Sequence, residues 1–260
     1  MLRAILVSGG LALCQSVWAG PSVSVAVLTK DFQYTEFAED GRVLDRERGT
    51  LPGVGYGLGY RAPGVEVGLD VARFAALIDY EGHTQSGASY STQSDAVMWD
   101  VGVTLRLHLM PDRHLFTLGM NDASWERDIL PAGGVLRLYE FYRWRTTRLG
   151  YEYRYQQGAH QLQLGIEYLK KTNGSMEVNF AGINPTTIPL KNGAGWAGGL
   201  QYAFTLDKQW RVTANYHTEA WSSGRSADVL VDSDYGPLKI HEPKNNTIKS
   251  IFGLAVSYRY

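Results

Sequence analysis

From Val97 to Met110 the chain alternates without a break: Val97, Trp99, Val101, Val103, Leu105, Leu107 and Leu109 on one phase, Met98, Asp100, Gly102, Thr104, Arg106, His108 and Met110 on the other. A period of two marks a strand whose faces meet different surroundings. Strands of soluble proteins are mostly about 5–6 residues long, whereas a tilted strand crossing a bilayer needs about ten. So long an apolar face fits contact with lipid, and its polar partners would then line an interior.

The pattern recurs along the chain. Phe252, Leu254, Val256, Tyr258 and Tyr260 oppose Gly253, Ala255, Ser257 and Arg259, and Leu149, Tyr151, Tyr153 and Tyr155 oppose Arg148, Gly150, Glu152 and Arg154. Val54, Tyr56, Leu58 and Tyr60 oppose a row made only of glycine, Gly53, Gly55, Gly57 and Gly59. Such repetition predicts an all-β fold, a transmembrane antiparallel up-and-down β-barrel of about 10 strands. The strands should start near Ser22, Thr50, Val65, Ser94, Leu115, Phe141, Gln161, Ala194, Trp210 and Lys249. Short turns between them alternate with long loops expected at residues 37–49, 80–93, 128–140, 170–193 and 222–247. Two stretches leave eight or twelve strands open: residues 119–140, which carry Asp122, Glu126 and Asp128, and residues 70–80, where the phase slips at Arg73 and Phe74 as a bulge would make it do.

The N-terminus reads Met-Leu-Arg, an apolar run to Leu13, then Val17-Trp18-Ala19 before Gly20, which predicts a secretory signal peptide over residues 1–19 and one barrel domain over 20–260. Cys14 is the only cysteine, and the bulky Leu13 before it disfavours lipidation there. Cleavage after Ala19 leaves no thiol, so an exported chain without disulfides must draw stability from elsewhere, as a sheet closed in a bilayer does. A net charge of -1 with 44% hydrophobic residues excludes a nucleic-acid binder and a disordered chain.

Leu254, Val256, Tyr258 and Tyr260 share one face at the end of the chain. That ending resembles the C-terminal aromatic signature of bacterial outer-membrane β-barrels as a class, without matching one characterised family. The resemblance implies the outer membrane of a Gram-negative cell, with outer-membrane lipid and lipopolysaccharide as surroundings. It also implies recognition by the barrel-assembly machinery through Tyr258 and Tyr260.

On the inner phase lie Glu66, Asp70, Asp100, Arg106, His108, Arg148, Glu152, Arg154, Glu167, Arg211 and Arg259. A barrel this small has a bore that side chains fill, so mixed charges should pair across it and occlude it. His217 and Glu219 also share the inner phase; a histidine beside a carboxylate is capable of general-base chemistry and forms the one candidate catalytic pair. Arg143 and Arg145 are in phase with Thr147 and Leu149, at the height of the outer leaflet, where they would meet lipopolysaccharide phosphates. The six histidines show no ligand spacing, so neither metal nor cofactor is expected. The expected role is structural, or surface binding through the outer loops; the alternatives are a narrow solute pore and an outer-membrane enzyme acting on lipid or peptide.

Overall fold

The computed structural model describes residues 19–83, 87–110, 113–180, 183–234 and 236–260. Apart from Ala19, the expected signal peptide and Cys14 lie outside the described residues. Seven long strands come first: β1 (Gly20–Phe37), β2 (Val43–Ala62), β3 (Val65–His83), β4 (Ser89–Met110), β5 (His114–Ile129), β6 (Leu138–Gln157) and β7 (His160–Phe180). After them run β8 (Ile183–Pro189), β9 (Gly193–Thr205), β10 (Trp210–Ser223), the small hairpin β11 (Val229–Val231) and β12 (Leu238–Ile240), and β13 (Lys244–Arg259).

Neighbours follow the order β6-β5-β4-β3-β2-β1-β13-β10-β9-β7, and pairing of β6 with β7 closes the ring. The lower half of β7 pairs with β9 and its upper half with β8, so β8 and β9 share one place in the wall. Ten antiparallel wall positions result among the described residues. Below β8, which pairs with β7 alone, closure pairs the backbone of each wall strand with both neighbours, the condition for a sheet to cross lipid.

The wall is taller than the membrane. β2, β4 and β6 hold 20, 22 and 20 residues. At about 3.3 Å per residue and a tilt of about 40°, twenty residues climb roughly 50 Å, about twice the apolar band of a bilayer. Much of the sequence expected to form long outer loops is therefore strand: β2 begins at Val43, β4 at Ser89, and β7 runs on to Phe180.

Those segments read as loops because the faces exchange chemistry while the register continues. In β1, Val23, Val25 and Val27 point outward and Ser22 and Ser24 inward; farther along, Phe32 and Tyr34 are buried inside while Asp31 and Gln33 are exposed. The bulge expected around Arg73 and Phe74 is absent for the same reason. β3 pairs with β4 in one register from Val65↔Leu107 to His83↔Ser89, Arg73 points out and Phe74, 1% exposed, points in. Gly53 makes room for that ring, since a Cβ there would come within 2.4 Å of it. Asp122, Glu126 and Asp128 occupy the outer face of a regular β5. A bulge does occur between β6 and β7, at Arg143/Arg145, where Asn173 adopts a φ of 51°, a conformation asparagine tolerates better than most side chains.

Exposed Tyr60, Tyr155, Tyr202 and Trp210 ring the lower edge of the apolar belt, and Trp99, Tyr168 and Trp196 its upper edge. These are the two aromatic girdles of a membrane barrel. Val103 lies on the lipid face between them, next to the inward Thr104. Val103→Arg should cost about 2–4 kcal/mol in a refolding titration in lipid, and Thr104→Arg under about 1 kcal/mol; equal costs would mean the faces are reversed.

Candidate functional site

The inward side chains divide the lumen into levels. At the bottom, two cavities of about 460 and 330 Å³ share Asp70, Arg106, Gln163, Gln201 and Asn215 in their walls. The lower reaches the mouth formed by Gly20, Arg61 and Arg259, the periplasmic end. Arg154 grips Glu66 with two hydrogen bonds of 2.7 and 2.9 Å, and His108 and Arg61 approach the same carboxylate at 3.2 and 3.3 Å. Arg106 donates to Glu152 at 2.9 Å.

Above the cavities a chain of charges crosses the bore. Asp100 of β4 receives Lys30 of β1 at 2.8 Å and stands 3.8 Å from Lys249 of β13. Lys249 lies 3.2 Å from Glu219 of β10, which also accepts from Arg148 of β6, and Arg148 reaches Glu167 of β7 at 3.0 Å. His217 joins this chain, with Nε2 3.0 Å from Glu219 and 3.3 Å from Arg148. The structure thus brings His217 and Glu219 together inside a shared ion-pair layer, with His217 in the wall of the upper of the two cavities. Arg211 and Arg259 are on the lumenal wall too, but make no side-chain ion pair or hydrogen bond among the described residues. Lys30 and Lys249 are the cations of this layer that sequence reasoning missed; above Lys30 the inner row of β1 turns to Phe32 and Tyr34, and above Lys249 that of β13 continues with Thr247 and Asn245.

Above the charges, aromatic rings fill the bore. Trp125 stacks on Tyr142 at 5.1 Å and meets Phe32 and Tyr34 edge-on at 5.0 and 5.2 Å. Leu51, Phe74, Met98 and Ile188 close around them, each at most 5% exposed. The void beside Trp125 and Trp221 has a volume of about 20 Å³, room for little more than a water.

Over this plug sits Arg127, 1% exposed, at a height where outward neighbours such as Arg46, Arg48 and Glu126 are polar. It donates to Glu47 at 2.8 Å, Glu140 at 2.6 Å and Asp45 at 3.1 Å, and stands 3.5 Å from Glu36. Tyr34 lies 2.8 Å from Glu36 and 2.5 Å from Glu242, and Tyr142 links Glu140 and Glu242 at 3.0 and 3.3 Å. One guanidinium cannot neutralise so many acids. Burial pushes the Glu47 carboxyl up to about 7 against the pull of Arg127, burial with repulsion from Glu140 raises Glu242 to about 7, and burial with Asp45 and Glu242 drives Glu36 well above the carboxylate range. The phenol of Tyr34 has one proton for two carboxyl groups, so a protonated acid completes the pair. Asp45 and Glu47 fall within the span 37–49 expected as a long loop; they are strand residues, buried because they share the inward phase of Leu51 and Gly53.

On the outer surface, at the upper edge of the belt, Arg145 binds Asp122 through two hydrogen bonds of 2.7 and 2.9 Å. Arg143 covers the ring of Phe141 at 4.5 Å. With Trp99, Val101 and Asn173 they border an open groove of about 580 Å³. No group of histidine, cysteine and acidic residues suited to hold a metal occurs among the described residues.

No family model matches the sequence, and no curated protein matches it. In fold the chain is similar to the outer-membrane protease OmpT of Escherichia coli, with a TM-score of 0.65 at 8% identity over 93% of this chain and 97% of that one. OprG of Pseudomonas aeruginosa aligns at 13% identity with a TM-score of 0.42, covering 93% of this chain and 96% of its own. Neisserial surface protein A aligns at 11% and 0.39, covering 93% and 99%. The closed up-and-down sheet with its apolar belt is the fold of bacterial outer-membrane β-barrels. The outer membrane is where this chain resides.

Glu47 and Glu242 keep their protons up to about pH 7 in the folded barrel and, once unfolded, release them near the usual 4.5. Their contribution to stability is complete below about 4.5 and is lost as the pH rises through about 7. Denaturant unfolding should therefore show a more stable outer half at pH 5 than at pH 8, with a smaller difference in Glu47→Gln. Arg127→Met leaves buried acids uncompensated and should cost about 3–5 kcal/mol at pH 8, less at pH 5 where they are protonated. A cost independent of pH would contradict the assignment.

Proposed function

We propose that the protein works without chemistry, as a closed outer-membrane barrel whose tall outer half holds a binding surface away from the membrane. The observation that carries this reading is the bore between Trp125 and Arg127, filled by buried side chains and holding beside the rings a void of only about 20 Å³. A rigid wall that presents connections at its rim, among them the segment 224–243 with its small hairpin, suits recognition, since a loop on a fixed scaffold loses little entropy on binding. Glu219 supports a scaffold role rather than that of a general base, because Arg148, Lys249 and His217 already share its charge.

The groove at Arg143 and Arg145 is the place on the outer surface where lipopolysaccharide would fit, phosphate against guanidinium and acyl chain along Trp99 and Val101. At the other end, the outward Tyr258 and Tyr260 would be presented to the assembly machinery, with their rings 5.0 Å apart.

Folded protein in a planar bilayer should give no conductance steps; reproducible single-channel steps would overturn the closed reading in favour of a pore. Replacement of Arg143 and Arg145 together by Glu should lower co-purifying lipopolysaccharide several-fold without loss of the folded electrophoretic form, and unchanged retention would remove that partner.

A further inference from the structure

We infer that the periplasmic vestibule binds an anionic, hydroxyl-rich ligand, such as a sugar phosphate or the headgroup of an anionic phospholipid. This goes beyond the closed-barrel reading, which concerns the opposite end of the molecule. Arg61, Arg106, Arg154, Arg211 and Arg259 line the cavity of about 460 Å³, against the carboxylates of Glu66 and Asp70. Three of these cations are engaged, Arg61 and Arg154 by Glu66 and Arg106 by Glu152. The guanidinium groups of Arg211 and Arg259 face no carboxylate within pairing distance among the described residues, and the Nε of Arg211 is buried with no hydrogen-bond partner.

The register puts those two together. Arg211 on β10 stands opposite Ser257 on β13, and Arg259 follows two residues later on the same inner face. Diagonal neighbours of this kind lie within about 8 Å of each other, close enough for long side chains to meet on one ligand. A guanidinium fork fits a phosphate or carboxylate in two bonds, and unpaired positive charge in a cleft walled by protein concentrates anions. The cavity is far larger than a lone phosphate and falls in the range of small-molecule sites. The rest of its wall near the two arginines, Ser24, Thr213, Asn215 and Ser257, offers hydroxyl and amide groups to a polar body.

The test uses folded protein in phosphatidylcholine nanodiscs, titrated calorimetrically with glucose 6-phosphate, glucose and inorganic phosphate. A parallel set of discs contains phosphatidylglycerol, whose retention by the purified protein is measured by mass spectrometry. Tighter binding of glucose 6-phosphate than of either fragment, weakened at least about tenfold in Arg211→Gln/Arg259→Gln and unchanged in Arg42→Gln/Arg48→Gln, exposed arginines at the far end of the barrel, supports the inference with a soluble ligand. Arginine-dependent retention of phosphatidylglycerol supports it with the lipid as source. Binding that survives in Arg211→Gln/Arg259→Gln overturns it, as does inorganic phosphate binding as tightly as the sugar phosphate, or no binding of any probe. Folded electrophoretic mobility of each variant separates lost binding from lost structure, and conductance is not involved, so failure here leaves the closed-barrel reading to its own experiment.

Discussion

A β-strand presents two faces with a period of two, and in this closed barrel the strand pairs hold their register over most of the wall's height. The medium outside this barrel, however, changes from lipid to water partway up the wall. Those two facts together dictate what each row of side chains must be. Where lipid lies outside, valine, leucine and tyrosine face outward and small or charged residues face the bore, as in Val23–Val27 of β1. Where water lies outside, the outer face becomes Asp31, Gln33 and Arg48, and the apolar residues Phe32, Leu51 and Phe74 turn inside to build a core of the ordinary soluble kind.

The lumen follows from that change of solvent. In the lower half the bore is the polar side and can stay wet, so glycine, serine and paired charges suffice there, and cavities persist. The ion-pair layer of Lys30, Asp100, Lys249, Glu219 and Arg148 sits at the transition, where charges lose contact with water and must find partners in one another. Higher still, rings pack to exclude water, and the acids around Arg127 are tolerated by sharing a cation, phenol hydrogens and their own protons. Wet mouth, charge layer, ring plug and acid hub are thus successive answers to a rising desolvation cost.

The membrane half was open to reading from the amino-acid sequence because lipid imposes a one-sided rule: the alternation from Trp99 to Leu109 survives in the structure residue by residue, with Asp100, Arg106 and His108 inside. The outer half was not, since a rule that looks for apolar residues on the lipid phase fails once that phase faces water, and strand ends such as Val43–Gly49 then resemble charged loops. Parity would have found them. Asp45 and Glu47 keep step with Leu51, and Arg127 keeps step with Ala123 and Trp125. The meeting of Arg127 with Glu47, eighty positions apart in the chain, depends on ring closure and three-dimensional height, which no local pattern encodes.

The change of solvent at one level can be measured directly. With Cys14 replaced by serine, single cysteines at Val25, Val27, Thr29, Asp31, Gln33 and Thr35 would carry spin labels along the outer face of β1 in a bilayer, with Phe32 and Tyr34 as inward sites. The account predicts labels reached mainly by oxygen at Val25 and Val27, labels reached mainly by a water-soluble nickel complex from Asp31 onward, one crossing near Thr29, and little access of either reagent at Phe32 and Tyr34. Oxygen dominance persisting to Gln33 or Thr35, or free nickel access to Phe32 and Tyr34, would contradict it.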